Sequence, residues 1–278
     1  MAKRLPSDSQ FIKNTRISSH SKEIQELTTA NPKDTSTSTL LTVILPTYNE
    51  AGTIGLLIPN IFQELLGFPI EVIVVDDNSP DGTAGIIKGL MRDESHLTLL
   101  ERKNKMGLSG AVLEGVKRAK GNYICVMDSD LSHQPKDLLK MINAAAYGYD
   151  LIIGSRYSPG ATIVGVSPIR RLISRVVNKT ARLIFGLSMS DVMTGYLLCR
   201  RNVLVELPTN FSSKGFKLLL EILVTNPKLN LAEIPIHFQD RFKGQSKANF
   251  SELIQLFALC IRLAKWKLKN RTGSLISD

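Results

Sequence analysis

Short apolar runs that alternate with segments of helical period are the feature that most constrains the fold of this chain. From residue 40 onward, six such runs are separated by stretches in which apolar residues recur three and four positions apart. The runs are LLTVILP, IEVIVVDD, LTLLE, NYICVMDSD, DLIIGSR and LAEIPIHF. Continuous apolar strands separated by helices are typical of a sheet that is covered on both faces. The sequence therefore predicts an α/β fold with a mostly parallel sheet.

Composition divides the chain into three parts. Residues 1–38 are rich in Ser, Thr, Asn and Lys, which indicates a flexible N-terminal arm. Residues 39–248 carry the alternating pattern; the first half is expected to bind a nucleotide and the less regular second half to shape an acceptor site. Residues 249–278 are predicted to be an amphipathic helix and tail. Helices are expected at roughly 52–66, 83–93, 108–119, 136–147, 170–186, 214–225 and 249–268.

The formal net charge of +10 narrows the range of partners. Such a surface favours nucleic acid, an anionic membrane or a phosphorylated substrate, although a solubilising charge is the simpler alternative. The three cysteines are far apart in sequence, so they suggest neither a disulfide framework nor a zinc site. The longest apolar stretch, Leu253 to Leu268, contains three basic residues and is too short to span a bilayer.

Three predicted strands end in polar clusters, which read LPTYNE, VVDDNSPDGT and VMDSDLSH. In sheets of this class, ligands bind beyond the carboxyl ends of the strands. Asp128 and Asp130 are the sharpest case, because carboxylates two residues apart after a buried strand can bind one hard cation. Such a cation would neutralise a diphosphate leaving group. The sequence therefore predicts a metal and diphosphate site here.

The pair Asp76 and Asp77 allows two interpretations. One is capping and turn formation, and the other is recognition of a base or ribose by a carboxylate. No GxxxxGK[ST] loop is present, and no GxGxxG follows the first strand, which argues against a P-loop and a dinucleotide site. His133 is interpreted as a turn residue rather than a metal ligand.

Basic residues concentrate in the second half of the chain. Arg171, Arg175, Lys179 and Arg182 share one face of a predicted helix that also has an apolar face. This pattern indicates either a solvated basic face or a phosphate-binding helix at a lipid surface. A basic loop follows at 241–247, and then the C-terminal helix, which is predicted to lie against anionic lipid or to dock on the core or a partner.

Together these motifs resemble the family 2 glycosyltransferases, and within them the dolichyl-phosphate (polyprenyl-phosphate) mannosyltransferases. The resemblance covers about residues 40–250. It is carried by VILPTYNE, VVDDNSPDGT, GLSGAVLEGVKRAKG, MDSDLSHQP, GSRY, RRLISR, DVMTGY, GFKLLLEI and IPIHFQDRFKGQSK. It implies a GT-A (Rossmann-like) fold for residues 39–248, a divalent cation, Mg²⁺ or Mn²⁺, and GDP-mannose as donor to a polyprenyl phosphate.

The resemblance also implies site residues. The donor nucleoside is expected to contact Pro46, Tyr48, Glu50, Val75 and Asp77. The donor diphosphate and metal are expected at Asp128, Ser129 and Asp130. The donor phosphates are expected to be enclosed by Arg156, Arg241 and Lys247. The acceptor phosphate is expected to bind Arg156, Arg170 and Ser174. The residues expected to carry the catalysis are Asp128, Asp130 and Arg156.

This sequence departs from the family pattern in two places. Relatives often have Gln where Ser132 stands, so a hydroxyl replaces an amide oxygen in the expected metal set of Ser129, Asp130 and Ser132. Many relatives also have membrane-spanning helices at the C-terminus, and none is found in this sequence. We therefore expect a peripheral enzyme at the cytosolic face of a membrane, with membrane-embedded partner subunits as an option. That membrane would be the endoplasmic reticulum in a eukaryote or the plasma membrane in a prokaryote.

A phosphate acceptor determines the expected mechanism. A phosphomonoester is already ionised near neutral pH, so it needs little help from a general base. We expect one in-line displacement with inversion at the anomeric carbon. Three alternatives remain: another donor such as UDP-glucose, a sugar nucleotidyltransferase, and a nucleic-acid binder. The nucleotidyltransferase would usually have a Gly-rich loop after its first strand. The nucleic-acid binder is disfavoured because the basic residues lie beside an apolar stripe.

Overall fold

The computed structural model describes residues 41–103, 107–207, 217–240 and 250–273, with side chains from 257 to 269 in the last stretch. The predicted arm 1–38 and the predicted basic loop 241–247 lie outside the described residues. The strands are β1 (Leu41–Thr47), β2 (Ile70–Asp76), β3 (Leu97–Glu101), β4 (Tyr123–Val126), β5 (Leu151–Ser155), β6 (Thr162–Val164), β7 (Leu197–Arg200), β8 (Leu231–Pro235) and β9 (His237–Gln239). The helices are α1 (Ile54–Glu64), α2 (Thr83–Leu90), α3 (Leu108–Arg118), α4 (Lys136–Ala145), α5 (Pro168–Phe185), α6 (Arg201–Val205), α7 (Leu218–Thr225) and α8 (Phe250–Gly273).

Seven strands form one sheet in the order β3-β2-β1-β4-β7-β5-β8. β1 runs parallel to β2 and β4, β2 runs parallel to β3, and β5 runs parallel to β8. Within the described part of this sheet, β7 alone is antiparallel to its neighbours, β4 and β5. The prediction of a mostly parallel sheet is therefore confirmed.

Alternate residues of each central strand face two hydrophobic cores, one on each side of the sheet. In β1, Ile44 lies in one core, and Val43 and Leu45 lie in the other, all of them fully buried. Side chains of α3, α5, α7 and α8 complete the first core, and side chains of α1, α2 and α4 complete the second. Both faces of the sheet are covered by helices, as the continuous apolar runs predict.

In the second half of the chain, the sequence pattern misses β6, β7 and α6 and merges β8 with β9. The strand β7 was not predicted, because it has four residues and is followed directly by the unpredicted short helix α6. The sequence predicts one strand for the run LAEIPIHF, but β8 ends at Pro235 and β9 begins at His237. After the proline, the N–H of Ile236 donates to the carbonyl of Ser155 in β5 at 3.1 Å, and the carbonyl of Ile236 accepts the N–H of Thr162 at 3.1 Å. The chain thus passes from β5 to β6, and β9 pairs with β6 in a separate two-stranded sheet.

The sheet brings four strand ends to one edge. Since β5 and β4 are each antiparallel to β7, they run in the same direction as each other and as β1 and β2. The segments that follow Thr47, Asp76, Val126 and Ser155 therefore leave the sheet at the same edge. These segments contain most of the residues that the sequence assigns to the site.

The C-terminal helix α8 packs on the body of the protein. Leu259 and Leu263 are buried in the first core, and the Nζ of Lys267 donates a hydrogen bond to the carbonyl of Phe185, the last residue of α5, at 2.8 Å. Among the helices that the structure describes, none combines the length and apolarity that a membrane crossing requires. The helix begins at Phe250, close to the predicted start at 249.

A buried carboxylate lies where α7 meets α8. Glu221 of α7 is fully buried, and Arg262 of α8 donates from Nη2 to its Oε1 at 3.3 Å. Burial raises the pKa of Glu221 to about 7, although Arg262 acts in the opposite direction. The folded protein therefore binds a proton here that the unfolded chain releases at lower pH.

This linkage predicts a pH-dependent effect of Glu221→Gln. The stabilisation from the raised pKa is fully present below the unfolded value of 4.5 and is lost as the pH rises toward 7. The glutamine of the variant cannot lose a proton. The free energy of unfolding of the variant, relative to that of the wild type, should therefore rise over this pH range. The gain should be at most on the order of 3 kcal/mol, at about 1.4 kcal/mol per pKa unit. Urea denaturation of both proteins from pH 4 to 8 measures it; a constant difference would contradict the assignment.

Candidate active site

The loops after β1 and β2 are joined to each other by backbone-to-side-chain hydrogen bonds. The N–H of Glu50 donates to Oγ1 of Thr83 at 3.0 Å, and the N–H of Ala51 donates to Oδ2 of Asp81 at 3.0 Å. Although burial acts to raise it, the pKa of Asp81 is lowered, because hydrogen bonds from Thr83 and Ala51 favour the ionised form. These bonds fix the loop that carries Tyr48, which exposes 39% of its surface and can stack on a planar base.

Asp77, an expected nucleoside contact, is paired with a basic residue. Arg102, just after β3, donates from Nε to Oδ1 of Asp77 and from Nη2 to the carbonyl of Gly107 at 3.0 Å. Both side chains of the pair are less than 10% exposed. Sequence reasoning missed Arg102, although its position directly after a strand was a signal. Val75, another expected contact, has a fully buried side chain in the first core.

The segment Asp128-Ser129-Asp130 follows β4 and is held against β1. The hydroxyl of Ser129 donates to the carbonyl of Pro46 at 3.0 Å and lies 2.8 Å from Oγ1 of Thr47. Oδ1 of Asp130 accepts the N–H of Ser132 at 3.0 Å. The hydroxyl of Ser129, expected among the metal ligands, is thus engaged with β1. The structure places Pro46, Ser129, Asp130 and Ser132 at the same edge of the sheet.

Leu131 carries backbone strain in this segment. Its φ is 62°, in the left-handed region that disfavours residues with a side chain. The conformation costs roughly 1–2 kcal/mol. The neighbouring bond from Ser132 to Asp130 maintains it, and strain of this kind often accompanies a functional loop.

His133 supports Asp128 from within the protein. Its Nδ1 accepts the backbone N–H of Asp128 at 3.3 Å and lies 3.8 Å from Oδ2 of the same residue. The imidazole stacks on Tyr196, with 4.9 Å between ring centroids. Burial lowers the pKa of His133 despite the nearby carboxylates, so the ring is neutral near pH 7. The residue is more than the turn former that the sequence suggested.

Asp128 and Asp130 suit a cation that also binds the substrate. Within the described part of the chain, no group of three His, Cys, Asp or Glu side chains could hold a metal unaided. Asp128 and Asp130 supply two carboxylates, and the Asp128 side chain is 28% exposed. Mg²⁺ is commonly held by one or two carboxylates together with substrate phosphates and water. The donor set therefore fits a cation of this kind, with the remaining ligands coming from a diphosphate.

Arg156, which follows β5, forms a bidentate ion pair with Asp191. Nε and Nη2 lie 2.7 and 2.9 Å from the two carboxylate oxygens, and the backbone N–H of Arg156 donates to Oδ2 at 3.1 Å. Burial opposes both charges, but their hydrogen bonds and mutual attraction outweigh it. The pKa of Arg156 is raised and that of Asp191 is lowered. The guanidinium also lies 5.4 Å from the ring centroid of Phe238 in β9.

Asp191 was missed as a site residue, although the motif DVMTGY contains it. Its side chain is fully buried and also accepts a hydrogen bond from Nδ2 of Asn178, in α5, at 3.1 Å. The preceding residue, Ser190, donates its N–H to the carboxylate of Glu233 in β8 at 2.8 Å. Asp191 therefore connects Arg156 to the helix that carries the expected acceptor residues.

Helix α5 directs Arg170 and Ser174 toward the body of the protein. The hydroxyl of Tyr157 donates to Oγ of Ser174 at 2.8 Å, and the Arg156 guanidinium lies 5.4 Å from the Tyr157 ring. Nη1 of Arg170 donates to Oδ1 of Asp240 at 2.7 Å. Arg156 and Ser174 are thus linked through one tyrosine, and Arg170 lies one helical turn from Ser174. Arg241 and Lys247, expected at the donor phosphates, lie outside the described residues.

The outer side of α5 is apolar and exposed. Six residues on this side each expose more than half of their surface: Ile169, Leu172, Ile173, Val176, Leu183 and Ile184. The predicted basic face is only partly solvated, since Arg171 donates to the carbonyls of Ile163 and Val166 and Arg182 to that of Ser188. Arg175 and Lys179 are exposed.

A mostly parallel seven-stranded sheet, with helices on both faces and paired carboxylates following a strand at one edge, defines an α/β protein of GT-A-like fold. Residues 42–207 match Glycosyl transferase family 2. The chain belongs to this family and is a glycosyltransferase. It is 34% identical to the dolichol-phosphate mannosyltransferase of Pyrococcus furiosus over 82% of this chain and 64% of that protein. The match to that relative therefore spans just under two thirds of its length.

Two further relatives have similar names. The chain is 31% identical to the polyprenol monophosphomannose synthase of Mycolicibacterium smegmatis, over 82% of this chain and 87% of that one. It is 33% identical to the dolichol-phosphate mannosyltransferase of Saccharomyces cerevisiae, over 77% and 82%. Among solved structures, glucosyl-3-phosphoglycerate synthase of Mycobacterium tuberculosis, crystallised with Mn²⁺, UDP and glucosyl-3-phosphoglycerate, has a TM-score of 0.65 at 17% identity over 91% of this chain and 87% of that one. This likeness shows the fold alone.

The ion pair of Arg156 predicts the effect of Asp191→Asn. The amide keeps the shape but not the charge, so the guanidinium loses its bidentate partner and shifts. A displacement of about 1 Å in a reacting geometry can cost about 100-fold in rate, so we expect kcat/KM to fall by about that factor. Steady-state kinetics together with the melting temperature measure it.

A matched control is Asp150→Asn. Asp150 pairs with Arg200 at 3.3 Å, at the opposite end of β5 from Arg156. This variant should keep kcat/KM within about twofold of the wild type, as surface pairs contribute little. Equal activities of the two variants would refute the role of Asp191.

Proposed function

We propose that the protein transfers mannose from GDP-mannose to a polyprenyl (dolichyl) phosphate, with Mg²⁺ or Mn²⁺ as cofactor, at the cytosolic face of a membrane. The observation that carries the proposal is the placement of Asp128 and Asp130 at the same sheet edge as Arg156. One side suits a metal-bound diphosphate and the other suits a second anion. The names of the three relatives support the acceptor and the sugar.

The charges around Arg156 favour a phosphate over a hydroxyl acceptor. A hydroxyl would need a base to accept its proton. Asp191, the carboxylate bound to Arg156, is fully buried and held in a bidentate pair, and its pKa is lowered. It is therefore a poor base. A phosphomonoester carries its negative charge already, and Arg156, Arg170 and the hydroxyl of Ser174 offer donors to it.

The reaction is a single displacement with inversion. The acceptor phosphate oxygen attacks the anomeric carbon, and the bond from that carbon to the donor diphosphate breaks. When bound, the cation neutralises charge on the departing diphosphate. Asp128 and Asp130 would hold it, and Arg156 lies where it can screen the repulsion between the two phosphate groups. Arg241 and Lys247 would add positive charge on the donor side.

The donor is the part of the proposal with a specific rival. The solved structures of similar fold include a complex with UDP-glucose and Mn²⁺, so UDP-glucose is the second candidate. The nucleoside residues Pro46, Tyr48, Glu50 and Asp77 offer a stacking ring and hydrogen-bonding groups, which both nucleotides can use. Sequence reasoning leaves the same two donors open.

A donor screen tests the function. The purified protein is given a short polyprenyl phosphate, Mg²⁺ or Mn²⁺, and either GDP-mannose or UDP-glucose, and the glycolipid product is quantified. We expect product from GDP-mannose with either cation and none after chelation. Product from UDP-glucose alone would replace the proposed donor.

The metal assignment predicts the result for Asp130→Ala in the same assay. Loss of one of the two carboxylates should reduce turnover by at least about 100-fold, while the fold persists. The control is Asp93→Ala, at an exposed position after α2, which should behave as the wild type. Near-normal turnover by the Asp130 variant would remove this carboxylate from the site.

The outer side of α5 supports membrane docking. The six exposed apolar residues lie on the helix that carries Arg170 and Ser174, and Arg175 and Lys179 flank them. An apolar stripe with basic flanks suits an anionic lipid surface. Phe257, Ile261 and Leu268 of α8 are also exposed, and the bond from Lys267 holds α8 against the end of α5. A membrane-embedded partner subunit would meet the same side of the protein.

Replacing Leu172, Ile173 and Val176 together by Ser should abolish flotation with anionic liposomes. Each fully buried side chain of this type contributes about 1.5–3 kcal/mol. The matched control replaces Leu56, Leu66 and Val205, which are similarly exposed elsewhere, and should float as the wild type does. Flotation of both variants would contradict lipid docking by α5, and a loss in a partner pull-down alone would identify a protein partner.

A further inference from the structure

The segment from Asp191 to Tyr196 contacts both sides of the site. At its first residue, Asp191 binds Arg156, on the acceptor side. At its last, Tyr196 stacks on His133, which accepts the backbone N–H of Asp128 on the metal side. The hydroxyl of Tyr196 also donates to the carbonyl of Gln134 at 3.2 Å. The segment therefore contacts Arg156 at one end and, through His133, supports Asp128 at the other.

Gly195, within this segment, lies directly against the carboxylate of Asp128. A Cβ added to Gly195 would be 2.9 Å from Oδ1 and 3.1 Å from Oδ2 of Asp128. Its backbone does not adopt a positive φ, so conformational freedom does not explain the glycine. What the glycine provides is space for one particular side chain, the carboxylate of Asp128, which is expected at the donor diphosphate and metal site.

A methyl group at Gly195 would be relieved most easily by moving Asp128. The crowded atoms are the terminal oxygens of a short side chain that is 28% exposed, rather than backbone. At Gly115 and Gly121, by contrast, the added Cβ would meet core side chains or backbone at 2.6–2.8 Å, and the fold itself would have to shift. Substitution of Gly195 should therefore displace the carboxylate while leaving the fold in place.

We propose that Gly195 is a positioning residue, whose bare Cα fixes the carboxylate of Asp128 for the cation and diphosphate. Through Asp191, the same segment fixes Arg156, so it sets the two groups relative to each other. This inference rests on the proposed metal and diphosphate site, and it deepens that assignment by explaining what orients one of the carboxylates. It also gives the DVMTGY motif a role.

The test is Gly195→Ala, with Mn²⁺ binding in the presence of GDP measured by the loss of the free-ion electron paramagnetic resonance signal. Loss of a group that orients a ligand typically weakens metal binding 10–100-fold, and we expect a weakening in that range. GDP affinity without metal and the melting temperature should stay near wild type. The matched control is Gly85→Ala in α2, where an added Cβ meets no atom within 4 Å.

A double-mutant cycle with Asp128→Ala separates positioning from folding. If Gly195→Ala acts through the carboxylate, it should weaken Mn²⁺ binding no further once that carboxylate is gone. If steric conflict destabilises the single variant, the double variant should regain its melting temperature. Wild-type Mn²⁺ affinity in Gly195→Ala, additive losses in the cycle, or no Mn²⁺ binding by the wild type with GDP would each overturn the inference.

Mannosyl transfer by the wild type is measured alongside. A protein that binds Mn²⁺ and GDP but transfers no mannose fails the proposed function and leaves the role of Gly195 intact. A protein that transfers mannose while Gly195→Ala binds Mn²⁺ normally keeps the function and loses the inference.

Discussion

The buried ion pair between Arg156 and Asp191 is the interaction on which the site depends. A guanidinium removed from water needs a partner, and loss of that partner would leave an uncompensated buried charge. The bidentate geometry satisfies this need with Nε and one Nη2 hydrogen, which leaves other N–H groups of the fork available. Asp191 also binds Asn178 of α5. This one ion pair therefore fixes both the guanidinium of Arg156 and the neighbouring helix α5.

Three aspartates near the candidate site differ in their neighbours, and the neighbours indicate which carboxylate has a structural role and which can bind a ligand. Asp77 is held by Arg102, and Asp191 is held by Arg156. Asp128 is approached by His133, whose Nδ1 accepts the backbone N–H of Asp128 and whose pKa is lowered by burial, so this neutral ring forms no ion pair with the carboxylate. Identical side chains thus serve as an ion-pair partner in two places and as a ligand candidate in the third, because their neighbours differ.

Much of the fold could be predicted from sequence, because buried parallel strands and amphipathic helices have strong periodic patterns. β7 could not, since four residues give little pattern and its place in the sheet is fixed by long-range pairing with β4 and β5. The same limit applies to the site. Asp128 and Asp130 can be predicted as site residues from their position after a strand. Arg102 also follows a strand directly, but its role, like that of Asp191, depends on the partner that folding brings to it.

Helix α5 places the proposed acceptor chemistry next to the proposed membrane surface. Arg170 and Ser174 face inward, and Leu172 and Val176 face outward on the same helix turns. A helix with its side chains is about 10–12 Å across, so a phosphate bound on one side lies within one helix diameter of lipid on the other. A polyprenyl phosphate could then present its headgroup to Arg156 while its chain stayed in the bilayer. The cost of extracting that apolar chain into water would not arise.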